Sequence, residues 1–362
     1  MNSRSTREIA CTGFAVALLF TALHFAELHL DAYNKQILSL IAINAILALS
    51  LNLIYGFTGM FSLGHAGFMA IGAYVCTLLI LTPMQKEIMW ILEEIHPALA
   101  KVCLPQMLSA FFSSQMASVN LGFLAAVLCG GLVAALFGLL IALPVLRLGG
   151  DYLGIATLGF AEIIRVVITN VTPLTNGSLG IKGIPQYATL WWNYAWLLFA
   201  LYFVVMLLRS NVGNVLKAIR DDEIAARTMG VNTFFYRVLS FSIGAFFAGV
   251  GGALMAALIS TIDPKMFNFM LTFNVLMIVV AGGLGSITGS IIGSVVITVM
   301  LEWLRIVESP ISLFGFESSG VPGMRMVIFS LLLLGIILFR RQGLMGMREF
   351  SWHLFFGKGR RS

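Results

Sequence analysis

Charge is the scarce commodity in this chain. Asp, Glu, Lys and Arg make up 10% of its 362 residues, while 59% are hydrophobic. A soluble domain carries about 25% charged residues, so a water-facing surface cannot be built from so few. Two stretches, from Lys101 to Arg147 and from Arg237 to Asp263, enclose no charged residue at all. Lipid is the solvent that tolerates such runs. Cysteine is also sparse. Cys11, Cys76, Cys103 and Cys129 lie in or beside apolar runs and form no CxxC pair, which argues against a disulfide framework and a zinc site. No GxxxxGK[ST] loop is present, so ATP phosphates have no cradle in this chain. HExxH, GxSxG and paired-carboxylate constellations are missing too, which leaves no catalytic residue and no metal ligand to nominate. Acids within apolar runs are too few for a proton relay, which weighs against a stand-alone secondary transporter. The net charge of +6 is read as loop charge on a membrane protein, with no nucleic-acid partner.

What the chain does have is apolar runs of the length that crosses a bilayer, about 20 residues. Ten are read: Ile9–Leu28, Ile37–Tyr55, Leu63–Leu81, Val119–Leu146, Tyr152–Val171, Leu190–Leu208, Val238–Ser260, Phe267–Leu284, Ile287–Leu304 and Gly323–Phe339. The polar start Met1–Glu8 ahead of the first run resembles a signal peptide, but no small-x-small cleavage site closes the run, and it is read as a span. The fold class is therefore all-α, a membrane bundle of about ten helices in a single domain spanning 1–362. Placing both termini in the cytoplasm puts fourteen of the 22 Lys and Arg inside and seven outside, with Arg165 within a span. This is the orientation that the positive-inside rule favours. It makes 82–118 a periplasmic insertion, 209–237 a cytoplasmic loop and 340–362 a cytoplasmic tail. The first part of the insertion is amphipathic, and Pro105, Ser113, Ser114 and Gln115 argue against a full span in the second.

The loop from Arg209 to Arg237 is the most informative polar segment. Asp221 and Asp222 suit a helix start, where acids meet the positive end of the helix dipole. Glu223 to Met229 favour helix, and Gly230 suits its stop. An ordinary solvated loop is the plainer reading. Within the spans, Glu162 and Arg165 stand at i,i+3 on one helix face. Each would cost about 2.5–3.5 kcal/mol against lipid at mid-bilayer, so they face protein or water and pair. Two readings stand: an internal ion pair that holds the bundle, or contact with a permeating zwitterion or a partner permease. His65, between Gly64 and Ala66, is read as a packing residue, with a gating role as the alternative. Asn52, Asn44, Asn274 and Thr157 are further polar candidates for the pathway. Glycines crowd two connections, Gly56, Gly59, Gly64, Gly67 and Gly72 in one and Gly282, Gly283, Gly285, Gly289 and Gly293 in the other. Close helix packing explains them, as does a broken helix beside a pathway.

Glu223, Ala225, Ala226 and Gly230 resemble the EAA---G coupling motif of ATP-binding cassette (ABC) importer permeases, with one extra residue between the Glu and the alanines. The segments LSLNLIYGFTGMFSLGHAGFMAIGAY (Leu49–Tyr74), GGDYLGIATLGFAEIIR (Gly149–Arg165), IVVAGGLGSITGSIIGSVVIT (Ile278–Thr298) and FRRQGLMG (Phe339–Gly346) resemble the branched-chain amino acid permease family, and the LivM type in particular. The resemblance runs from about Ile37 to Gly346, and the insertion Thr82–Ser118 has no counterpart in it. It implies a non-catalytic permease subunit in the bacterial inner membrane, with no cofactor of its own. Its partners would be a LivH-type permease, two ATP-binding subunits that hold the ATP, and a periplasmic substrate-binding protein. The cargo would be a branched-chain amino acid. Urea or short-chain amides are the alternative, because related permeases carry them. The family's coupling role would fall on Asp221, Asp222, Glu223, Ala225, Ala226 and Gly230. The binding protein would dock on loops such as Asn170–Trp191 and Ser309–Pro322.

Overall fold

In lipid every backbone N–H and C=O must find a partner within the protein, and an uninterrupted apolar run does so by closing into a helix. The computed structural model describes residues 3–90, 100–109, 115–148, 150, 152–305, 311–313, 316–318, 323–339, 343–346 and 349. In chain order its described helices of six residues or more are α1 (Ser3–His29), α2 (Ala32–Tyr55), α3 (His65–Ile80), α4 (Pro83–Met89), α5 (Leu104–Ser109), α6 (Gln115–Val145) and α7 (Tyr152–Asn170). They continue as α8 (Leu190–Arg209), α9 (Asn211–Asp221), α10 (Glu223–Thr228), α11 (Thr233–Ile259), α12 (Phe269–Gly282), α13 (Ile287–Trp303) and α14 (Met324–Phe339). Among the described residues strand is confined to two small ladders. β1 (Ile181–Lys182) pairs antiparallel with β2 (Thr261–Ile262), and β3 (Ile311–Leu313) with β4 (Phe316–Ser318).

Each of the ten apolar runs carries a helix. Among the described residues six helical segments are long and apolar enough to cross a membrane, or seven if α3 and α4, bent by 119° at their junction, are one span. The protein is thus a multi-pass, all-α membrane protein. α4 departs sharply from the line of α3 because Thr82 starts it afresh. Its hydroxyl accepts from Gln85 N and the Gln85 side chain reaches back to Thr82 N, with Pro83 in the first turn. The Lys86 ammonium on α4 is buried and donates to Val102 O at 2.5 Å. Gln115 is the first residue of α6, and ahead of it the second part of the insertion holds only the short α5 among its described residues.

α2 is the centre of the bundle. From Ile41 to Ile54 every residue but Asn44 is buried, and a helix that is apolar all round belongs inside. α8, α11, α12 and α13 pack against it, and α3 and α6 pack in turn on α11. Their closeness depends on glycine: a Cβ on Gly72 would lie 2.1 Å from Gly249 O, and one on Gly252 would lie 2.1 Å from Met69 O. Such backbone contact is how helices associate where lipid is as apolar as leucine. Far less of the hydrophobic windows of α7 and α8 is covered, 28% and 33%. Their bare faces are available to lipid or to another subunit.

The loop 209–237 is more ordered than the sequence suggests. It holds two helices, α9 and α10, and its last residues already belong to α11. That helix begins at Thr233, five residues before the expected span, because Asn232 caps it by accepting from Phe235 N at 3.1 Å. Arg237 is therefore a helical residue near the foot of α11.

Candidate functional site

The segment from Ser210 to Gly230, called the arm below, leaves the bundle by a turn tight enough that a Cβ on Gly213 would lie 2.4 Å from the Leu208 backbone. Val212, Leu216 and Ile219 of α9 recur at i, i+4, i+7 and make one apolar face. Leu216 sits in a small cluster with Leu53, Phe57, Val204 and Leu208, and Val212 packs against it. This cluster fastens the root of the arm to the ends of α2 and α8.

Asp222 has extended backbone angles and caps α10, accepting from Ile224 N at 2.8 Å and Ala225 N at 3.0 Å. Asp221 does not share this role, contrary to expectation. It is the last residue of α9, and its carboxylate holds the Arg220 guanidinium at 2.8 Å. The reason is a break at Asp222, whose φ of −156° ends one helix before the next begins. Gly230 closes α10 with a φ of +84°. Its N–H donates to Arg227 O and that of Val231 to Ala226 O, the paired bonds of a Schellman stop. Glu223 ties the helix to the bundle. Its carboxylate accepts from Arg237 at 2.5 Å, in the foot of α11, and from Arg227 at 2.9 Å. Ala226 is buried and Ala225 exposed. Ile224 and Met229 are 77% and 83% exposed, an apolar surface on an otherwise polar element.

Behind the arm the two glycine clusters meet. A Cβ on Gly56 would lie 2.4 Å from Gly285 N. Asn52, fully buried, stitches the junction: its amide donates to Ser286 O and Ser290 Oγ, both at 2.8 Å, and its carbonyl accepts from Gly285 N at 2.9 Å. Asn52 therefore fastens α2 to the break between α12 and α13. The FRRQGLMG tail arrives at the same break. Leu344 N donates to Ala281 O and Met345 N to Gly282 O, and the Glu349 carboxylate accepts from Ile287 N and Thr288 N at the start of α13. A cavity of about 440 Å³ lies beside the arm, between the α2–α3 and α6–α7 connections, lined by Tyr55, Gly59, Phe61, Leu153, Glu223 and Arg237 among others.

Glu162 and Arg165 do pair, at 2.7 Å. In this chain alone their side chains are 39% and 33% exposed on the flank of α7. The helix turns its small residues inward instead, Gly154 against Phe61, Thr157 against Gly64 and Ala161 against Gly67. His65 is brought into the core rather than towards this pair. Ser50 Oγ gives its proton to Gly244 O at 2.6 Å, so the 2.9 Å contact with His65 Nε2 has the imidazole as donor. Asn44 donates to Thr298 Oγ1, and Thr157 accepts from Leu63 N. Among the described residues no group of three His, Cys, Asp or Glu side chains is placed to hold a metal ion.

Sequence reasoning missed Arg220, Arg237, Ile224 and Met229. The last two carried a signal, being apolar side chains flanking a short polar helix. The arginines carried none locally, because Gly56 lies 164 residues from Arg220 and Glu223 fourteen from Arg237.

A bundle of lipid-soluble helices with one short helix held out on a polar arm defines a multi-pass membrane protein. Comparison with known proteins gives the particular group. The profile of a family described as "Branched-chain amino acid transport system / permease component" matches residues 34–338. The high-affinity branched-chain amino acid transport system permease protein LivM of Escherichia coli K12 is 32% identical over 326 residues, which covers 81% of this chain and 68% of the relative. The LivH permease of Salmonella typhimurium is 25% identical over 276 residues, covering 70% and 79%, and a probable LivM of Methanocaldococcus jannaschii is 25% identical over 242, covering 62% and 69%. No solved structure matches. The chain belongs to the branched-chain amino acid permease family and is of the LivM type.

Proposed function

We propose that this chain is one of two permease subunits of an ABC importer that carries branched-chain amino acids across the bacterial inner membrane by alternating access. The reading has about ten spans and both termini in the cytoplasm. Ten helices on ten apolar runs, and a tail that reaches the same end of the bundle as the arm, support it. The observation that carries the mechanism is α10: a capped helix with a Schellman stop, holding Ile224 and Met229 out at its surface. Apolar side chains on a polar element at the charged end of the bundle are suited to a protein groove. The groove belongs to an ATP-binding subunit, and its closure displaces the arm. A LivH-type permease covers the bare faces of α7 and α8, where the half-exposed Glu162–Arg165 pair is kept from lipid. A substrate-binding protein delivers the amino acid from the periplasm at the far end, where β1 and β2 join the 170–191 loop to the end of α11. The cavity beside Glu223 and Arg237 lies on the release side.

The test is uptake by cells that lack their own branched-chain amino acid transport and express this chain with its four partner subunits. Leucine, isoleucine or valine should accumulate, and accumulation should stop when the ATP-binding subunits are inactivated. Uptake of urea or short-chain amides in place of leucine would support the alternative cargo. Uptake that persists without the ATP-binding subunits and collapses with the proton gradient would overturn the reading.

A further inference from the structure

The arm must move the membrane helices through some contact, and one residue outside the coupling motif makes it. Arg220 is the penultimate residue of α9, two positions before the Asp222 cap of α10. Its guanidinium enters the junction of the two glycine breaks, where Nη1 donates to Gly56 O at 3.2 Å. Both breaks are shaped around it. A Cβ on Gly59 would lie 3.2–3.6 Å from the Arg220 backbone and side-chain stem, and a Cβ on Gly285 would lie 3.0 Å from Nη1. Both glycines have positive φ, +76° and +77°, so any other residue there would be strained as well as crowded. Gly56 in turn touches Gly285, and Asn52 locks the two together.

The other edge of the guanidinium is occupied. Nε and Nη2 donate to Asp221 Oδ1 at 3.0 and 2.8 Å. The Asp221 side chain is 68% exposed, whereas that of Arg220 is 21% exposed. The carboxylate thus lies on the outer side and holds the fork with its remaining nitrogen pointed inward. Only arginine satisfies both demands at once. A lysine ammonium is a compact point charge on a flexible stem and has no planar fork to be steered by one neighbour while it bonds another.

We propose that Arg220 is the positioning residue through which displacement of α10 reaches the membrane helices. It holds the carbonyl that ends α2 and presses on the break between α12 and α13, while Asp221 keeps its guanidinium aimed. The two glycine connections then move as one body with the arm. This rests on the importer reading, and it adds the point at which force enters the bundle, which that reading leaves open.

The test uses the complete five-subunit transporter in liposomes, with leucine uptake and binding-protein-stimulated ATP hydrolysis measured on the same vesicles. The expected result for Arg220→Lys is a fall of about tenfold in leucine carried per ATP hydrolysed. Asp221→Asn, at an exposed position, should lower the ratio by about threefold with the complex intact. A ratio equal to that of the unsubstituted transporter in both variants would overturn the proposal. If Arg220→Lys fails to assemble, Asp221→Asn decides the matter alone. A purely structural role for Arg220 would lower uptake and hydrolysis together and leave the ratio unchanged. Absence of stimulated hydrolysis in the unsubstituted transporter would instead refute the importer reading on which the proposal stands.

Discussion

At the scale of single residues, two side chains test the energetics most sharply. Asn52 serves three partners in a fully buried site, Gly285 N, Ser286 O and Ser290 Oγ. Asn52→Ala strands a buried donor and acceptor and should destabilise the protein by about 1–3 kcal/mol, read as a lower melting temperature in detergent. Asn52→Asp keeps an acceptor for Gly285 N but loses the donor to Ser286 O, so its melting temperature should also fall. The Glu162–Arg165 pair makes a different prediction. Replacing Glu162 alone leaves an arginine without its counter-ion in or beside the partner interface, while replacing both removes the charge. Complex yield and uptake should suffer more from the single change than from the double, and equal losses would refute the pairing. Pairing was legible from the i,i+3 spacing. The exposure was not, because one sequence says nothing of which helix face a missing subunit covers. Arg220 was equally hidden, since Gly56 lies 164 residues away from it.

The element that the proposed function depends on is α10. Gly230 holds φ +84° with open space around its Cα, so Gly230→Ala meets backbone strain rather than a clash. The cost is about 1–2 kcal/mol, enough to fray a helix of six residues. Glu223→Ala frees α10 from the foot of α11. Both variants should reduce binding-protein-stimulated ATP hydrolysis while the chain still inserts in the membrane, and normal stimulation in both would remove the coupling role. Packing of α3 on α11 yields a second prediction. Gly72→Ala would press a methyl group into the Gly249 backbone, and separating the helices should cost about 1–3 kcal/mol. The yield of folded protein should fall, with no change in uptake per folded molecule. The start and stop of α10 were readable from Asp222 and Gly230 because capping is local chemistry. α9 went unread because its apolar face is only Val212, Leu216 and Ile219, a short pattern in a polar stretch. The early start of α11 was masked by Arg237, which resembles a membrane boundary but is neutralised by Glu223.

At the scale of the whole molecule, the bundle is asymmetric. Its centre is α2, packed by α8, α11, α12 and α13, with α3 and α6 held to α11 through glycine contacts. Its least covered helices are α7 and α8. The arm and the tail converge on one end, at the two glycine breaks. Composition revealed the lipid solvent, and the length of the apolar runs revealed the helices. It did not reveal that the glycine connections touch, since contact between residues more than 200 positions apart leaves no local trace. The account's central claim is that the arm projects into the cytosol, where an ATP-driven partner displaces it. The direct measurement is labelling of Arg227→Cys by a membrane-impermeant thiol reagent in intact spheroplasts, with the unsubstituted protein as blank. The account predicts no labelling above the blank until the membrane is permeabilised, and full labelling thereafter. Labelling in the intact spheroplasts would put the arm on the outer face, out of reach of any ATP-binding subunit.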